Sequence, residues 1–186
     1  MAASKLKKGN LLIAEPSITG DIDFNRAVIL LADHGKDGSV GFILNKPLDF
    51  SISDLLPEIA SEFTVYKGGP VEQDNLYFIH NVPEMISESI EISNGVFWGG
   101  DFEATKILIN NGQISKDNIR FFLGYTGWEA RQLQNEMDSN SWIATENSDR
   151  NNIIGKSTVN FWKEKIVALG GDYLIWSNAP ENPLLN

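Results

Sequence analysis

The chain has 186 residues, 42% of them hydrophobic, 10% aromatic and 22% charged, with no cysteine and a net charge of −10. These proportions exclude a disordered, collagenous or low-complexity chain, and the missing cysteine excludes disulfides, thiolate catalysis and Cys-ligated metals. Residues 41–100 hold Lys46 and Lys67 against nine carboxylates, so a phosphate backbone would meet net repulsion and a nucleic-acid partner is disfavoured. The longest apolar run, Ala27 to Ala32, is far short of the about 20 residues a membrane helix needs. The run after Lys5, Lys7 and Lys8 closes at Glu15-Pro16, too short for a secretion signal. A single cytoplasmic domain over 1–186 is expected, with no membrane association.

Gly9 to Ala14 predicts a first strand, and polar Pro16 to Asn25 a loop. Ala27–Ala32 and Val40–Leu44 are short continuous apolar runs, as buried strands are, joined by the turn His34–Gly38 into a hairpin. Asn45-Lys46-Pro47 ends the second of them, because proline lacks a ladder donor. Ser53 is placed to cap a short helix through Leu55 and Leu56. Thr64–Tyr66 and Leu76–His80 read as strands, and Ile90–Ile92 and Val96–Trp98 as a hairpin about Asn94-Gly95.

The second half carries helices. Asp101 can cap one from Phe102 to Asn111-Gly112. Ile119–Tyr125 predicts a strand, Trp128–Met137 a helix with Trp128, Leu133 and Met137 on one stripe, and Trp142–Ala144 a short strand. Ser157 is expected to cap a last helix with Val159, Trp162, Ile166 and Leu169 on one face, stopped by Gly170-Gly171. Tyr173–Trp176 predicts a final strand. Strands first and helices later argue for an α+β fold.

No standard catalytic pattern is present. Gly155-Lys156-Ser157 lacks the first glycine and the preceding buried strand of a phosphate-binding P-loop, and reads as a turn. His34 and His80 are the only histidines and lack metal-ligand spacing, so they read as structural or solvent-facing. His80 is the better functional candidate, at a strand end ten residues past Gly68-Gly69-Pro70. No metal or cofactor is expected. The glycine groups Gly68-Gly69-Pro70, Gly99-Gly100-Asp101 and Gly124-x-x-Gly127 each follow a predicted strand. Each reads first as a tight corner of a curved sheet, and together they could line a groove.

The ordered set Gly9-Asn10-Leu11-Leu12-Ile13-Ala14-x-Pro16, Phe24-x-Arg26-x-Val28-Ile29-Leu30-Leu31 with His34, Gly41-Phe42-Ile43-Leu44-Asn45-x-Pro47, Gly68-Gly69-Pro70-Val71 and Phe122-Leu123-Gly124-Tyr125-x-Gly127-Trp128, then Gln132-Leu133-x-x-Glu136 and Trp142, resembles the AlgH/YqgE family of bacterial proteins. Relatives often carry Gly-Pro after that tryptophan and His-Arg where this chain has Glu129-Ala130-Arg131 and His80-Asn81. The resemblance implies a single α+β domain with a strongly curved, barrel-like, mixed or antiparallel sheet and packed helices. It implies no enzyme activity. The family's label of transcriptional regulator conflicts with the charge.

The reading that follows is a small ligand- or protein-binding module, of a regulatory type, that works by recognition without covalent chemistry. Its candidate binding residues are Arg26, His34, Asn45, Gly68, Gly69, Pro70, His80, Gly124, Tyr125, Gly127 and Trp128. The alternatives are a hydrolase or transferase acting on a phosphorylated small molecule, which predicts a histidine beside a carboxylate, and a DNA-binding regulator, which predicts a basic patch.

Overall fold

A computed structural model describes residues 5–181. Its sheet strands are β1 (Leu11–Ala14), β2 (Val28–Gly35), β3 (Gly38–Ile43), β4 (Pro47–Ser51), β5 (Thr64–Lys67), β6 (Val71–His80), β7 (Ile90–Ser93), β8 (Val96–Trp98), β9 (Ile119–Glu129) and β10 (Trp142–Thr145). The α-helices are α1 (Ile52–Leu55), α2 (Phe102–Asn110), α3 (Gln132–Asp138) and α4 (Phe161–Leu169), with 3-10 helices at Arg150–Ile154 and Gly171–Asn178.

The strands follow the order β10-β1-β2-β3-β9-β6-β8-β7, and every neighbouring pair on that path is antiparallel. β9 organises them. One of its edges carries β6. The other is shared: residues 121–123 pair in parallel with β5, and residues 126–129 pair with β3. Among the described residues β10 and β7 do not pair, so the sheet is open and not a closed barrel. It curves far enough for Lys8 Nζ to donate to the Glu91 carbonyl at 3.0 Å and for Gly9 to pack on Ser93.

Both faces of the sheet are buried, which is why β1 and β2 read as unbroken apolar runs. Leu11, Ile13, Val28 and Leu30 join Phe42, Phe122, Trp162 and Ile166 in one core beneath α4. Leu12, Ile29 and Leu31 face the other way, towards Trp128, Trp142 and Leu133 of α3. A third core, with Phe78, Phe121 and Ile109, lies under α1 and α2.

The expected hairpins form, and Asn94 and Gly95 take the positive φ angles of 53° and 80° that a tight two-residue turn needs. Asp101 caps α2 by accepting from the Ala104 amide at 3.0 Å. Four expectations need correction. Trp128 does not begin a helix. It pairs with Ser39 of β3, and the left-handed Arg131 (φ 65°) separates β9 from α3. Trp128, Leu133 and Met137 share a core, and that common burial produces the helix-like spacing. Tyr173–Trp176 is part of a 3-10 helix and not a strand; Leu174 and Ile175 are exposed. Ser157 does not cap α4, which starts after the left-handed Asn160 and leaves Val159 outside it and exposed. Ser51, not Ser53, precedes α1. As expected, β3 ends before Asn45-Lys46-Pro47, and Pro47 then opens an edge strand, β4, where its missing donor costs nothing.

Candidate functional site

The residues singled out by sequence fall in three separate places. Asn45 is a staple: its Oδ1 accepts from the Val28 amide at 2.9 Å and its Nδ2 donates to the Arg26 carbonyl at 2.8 Å. Arg26 has a left-handed backbone (φ 54°), lies 4.9 Å over the Trp162 ring and donates to the Ala179 carbonyl at 2.7 Å. The Asn45-Lys46-Pro47 segment does adjoin the glycine loop, because the Lys67 amide donates to the Lys46 carbonyl at 2.8 Å.

Gly68, Gly69 and Gly124 form a close backbone crossing. The Gly68 amide donates to the Leu123 carbonyl and its own carbonyl accepts from Ile43. A methyl group on Gly124 would stand 2.5 Å from the Gly69 carbonyl oxygen, and Gly124 also has φ +70°. Backbone fills the space that a side chain would need at these glycines, so they are explained by the crossing itself. Pro70 is exposed beside them. Tyr125, Gly127 and Trp128 line a shallow groove of about 830 Å³ with the β2–β3 turn. His34 lies beside that turn, its Nδ1 2.7 Å from Ser39 Oγ. The Trp128 indole N–H donates to Glu136.

His80 is wholly buried, with Nε2 3.1 Å from the Gly99 carbonyl and Nδ1 accepting from the Val82 amide at 3.3 Å. These bonds suit the neutral ring, and burial pushes its pKa below the usual 6.5. The unfolded chain therefore binds the extra proton first, and stability falls as pH drops from 6.5 towards the depressed value. Urea midpoints at pH 7.5 and 5.5 should differ, and His80→Asn should flatten that difference; an unchanged slope would show that another group titrates.

A site with a clearer chemical demand lies elsewhere. Arg120 is on β9 and only 5% exposed. It sits on the same face as Phe122, so the strand that builds the core also carries a cation into it. Nη1 donates to the Leu44 carbonyl at 2.9 Å, Nη2 to the Lys156 carbonyl at 2.6 Å, and the guanidinium lies 4.5 Å from the Tyr66 ring centre. Among the described residues no carboxylate lies within ion-pair distance of it. Burial works against its charge and lowers its pKa. A buried charge is costly unless it is paired, and two carbonyls and a ring are partial compensation.

Arg120 borders a cleft of about 370 Å³, with Thr64, Tyr66, Lys116, Lys156 and Ser157. Lys156 is held by Asp149 at 3.2 Å and Glu164 at 3.4 Å. The Gly155-Lys156-Ser157 segment follows a 3-10 helix and precedes α4 by several residues, so it is a loop and not a P-loop. Sequence reasoning passed over Arg120 because it saw only a strand with buried aromatics. The available signal was an arginine inside the apolar run Ile119–Leu123. Among the described residues no group of three or more His, Cys, Asp or Glu could hold a metal, and no helix is long and apolar enough to cross a membrane.

Comparison with known proteins places this architecture. The AlgH-like family matches residues 11–174. A UPF0301 protein of Chlorobium limicola is 40% identical over 98% of this chain and 97% of its own, and one of Cytophaga hutchinsonii is 40% identical over 97% and 100%. Two solved structures share the fold. The crystal structure of protein DIP2367 from Corynebacterium diphtheriae has a TM-score of 0.77 at 18% identity, covering 96% of this chain and 95% of that one. The solution structure of AlgH from Pseudomonas aeruginosa has a TM-score of 0.72 at 21% identity, covering 97% of each. With its motifs in order along a matching fold, the chain belongs to the AlgH-like family.

Proposed function

We propose that this protein is a ligand-binding module whose site is the Arg120 cleft, and that it takes a small molecule carrying a carboxylate or phosphate. The observation that supports this reading is the buried guanidinium, with no carboxylate within ion-pair distance of it among the described residues although Glu62 also lines the cleft. An anion entering the cleft would meet Arg120 at its floor and the Thr64 and Ser157 hydroxyls at its sides. Recognition would be by charge-assisted hydrogen bonds, the strong class in a site of low polarity. Neither histidine has a carboxylate partner, since His34 meets Ser39 and His80 meets backbone, so binding is better supported than acid–base turnover on a phosphorylated substrate. The acidic balance continues to count against a DNA-binding regulator.

The test is thermal unfolding in acetate, inorganic phosphate and a panel of phosphorylated and carboxylated metabolites. A ligand at 100 times its Kd adds about 2.7 kcal/mol, which raises the Tm by about 5–11 °C for a chain of this size. Arg120→Met keeps the volume and removes the charge. It should fold at a net cost of about 1–3 kcal/mol, because relief of the desolvated charge offsets the Leu44 and Lys156 carbonyls left without a donor, and it should lose the shift. Equal shifts in both proteins would mean general salt stabilisation and would end the proposal, as would a flat screen.

A further inference from the structure

A third cavity lies at the start of β1, where the segment before β1, the β7–β8 turn and the loop after β10 converge. Its volume is about 410 Å³, and its walls include Lys7, Lys8, Asn94, Asn147 and Arg150. The walls are pinned. The Lys7 amide donates to Asn10 Oδ1 at 3.0 Å, the Gly9 amide to the Leu31 carbonyl at 2.7 Å, and Lys8 Nζ reaches the Glu91 carbonyl.

Asn147 is 5% exposed. Its Nδ2 donates to the Arg150 carbonyl at 3.0 Å. Its Oδ1 is buried without any donor, the one side-chain atom in that condition among the described residues. Buried acceptors are almost always satisfied, and leaving one empty costs free energy. This one therefore calls for an N–H or O–H from outside the chain. The charge on the walls calls for something else as well. Three basic side chains, Lys7, Lys8 and Arg150, face one acid, Glu146, which pairs with Lys7 at 3.4 Å. In a chain of net charge −10 this is a local positive spot. Its excess of two positive charges matches a phosphate monoester, which carries about −1.5 to −2 at neutral pH, better than a single carboxylate.

We propose that this cavity binds a small phosphate monoester that also carries a free hydroxyl. The phosphate sits among Lys7, Lys8 and Arg150, and the hydroxyl donates to Asn147 Oδ1. The site is independent of the Arg120 cleft and lies on different elements.

The test is a titration of the full chain with glycerol 3-phosphate, read from backbone amide NMR shifts. The amides of Ser93, Asn94, Asn147 and Ser148 should move and saturate. Methyl phosphate, which has no hydroxyl, should bind about tenfold more weakly. Arg150→Asn should weaken glycerol 3-phosphate by a similar factor. Arg150 is exposed and has φ 52°, a backbone that asparagine tolerates, so this variant should fold. No saturable shift at those four amides would overturn the proposal and leave Asn147 Oδ1 to a buried water. Equal binding of methyl phosphate, or of Arg150→Asn, would overturn it too. Shifts confined to Gly155–Thr158 would place the ligand in the Arg120 cleft and end this proposal, whereas shifts at the four amides alone would sustain it and count against the Arg120 reading.

Discussion

Gly69→Ala is expected to destabilise the protein by about 3–5 kcal/mol, towards the upper end of what one substitution does. The added methyl would stand 2.5 Å from the Thr126 nitrogen and closer still to the Tyr125 carbonyl. Those atoms are backbone and cannot rotate away. Nor can β9 retreat, because β6 holds one edge while β5 and β3 share the other. The loss would take a large part of a typical domain's 5–15 kcal/mol. Urea unfolding measures it, with Gly20→Ala as the control. Gly20 has nothing within 4 Å of its added methyl and no positive φ, so it should stay within about 0.5 kcal/mol of the parent. A Gly69→Ala protein as stable as that control would mean that the crossing at Gly69 and Tyr125 is looser than the geometry states.

This crossing shows how much of the fold could be read from residues alone. The glycines of the Gly68-Gly69-Pro70 and Gly124-x-x-Gly127 groups were visible as places where a side chain would interfere. What they make room for was not, because β6, β7, β8 and α2 lie between Gly69 and Tyr125 in sequence, and no local pattern brings the two together. β2 and β3 were legible because burial on both faces writes an unbroken apolar run. The β7–β8 hairpin was legible because Asn94-Gly95 supplies two left-handed residues. The extension of β9 through Trp128 was not, since its partner is Ser39, far away in sequence. Tyr173–Trp176 has strand-forming residues, but among the described residues it pairs with no strand and lies in a 3-10 helix.

The candidate sites were less legible for a related reason. Arg120 and Asn147 are ordinary polar residues in sequence. Their interest lies in what is missing around them: a carboxylate in one case, a donor in the other. A missing partner is visible only when every neighbour has been placed. Asn45 and His80 stood out in sequence and prove to be occupied by the fold's own backbone, each meeting two backbone groups.

Glu136→Ala should cost about 2–5 kcal/mol, although the residue is only half-buried and lines neither of the two proposed binding cavities. Its Oε2 accepts from two indoles at once, Trp128 Nε1 at 2.9 Å and Trp142 Nε1 at 2.8 Å, while Oε1 accepts from Gln132 at 3.0 Å. The rings meet edge to face with centroids 6.3 Å apart and are 6% and 5% exposed. They come from β9 and β10, two strands that never pair, so one carboxylate from α3 ties both together. Without it two indole N–H groups stay buried with no acceptor, at about 1–3 kcal/mol each. Glu136→Gln keeps one carbonyl oxygen with two lone pairs for the two indoles, but it loses the charge and the acceptor for Gln132, so its cost should be about 1–2 kcal/mol. A double-mutant cycle separates the indoles: in a Trp142→Phe background only one N–H remains to be stranded, and the penalty of Glu136→Ala should fall by roughly half. An undiminished penalty would mean that the helix position of Glu136 matters more than its bonds to the rings. A penalty below about 1 kcal/mol in the parent would mean that water reaches the indoles and replaces the carboxylate.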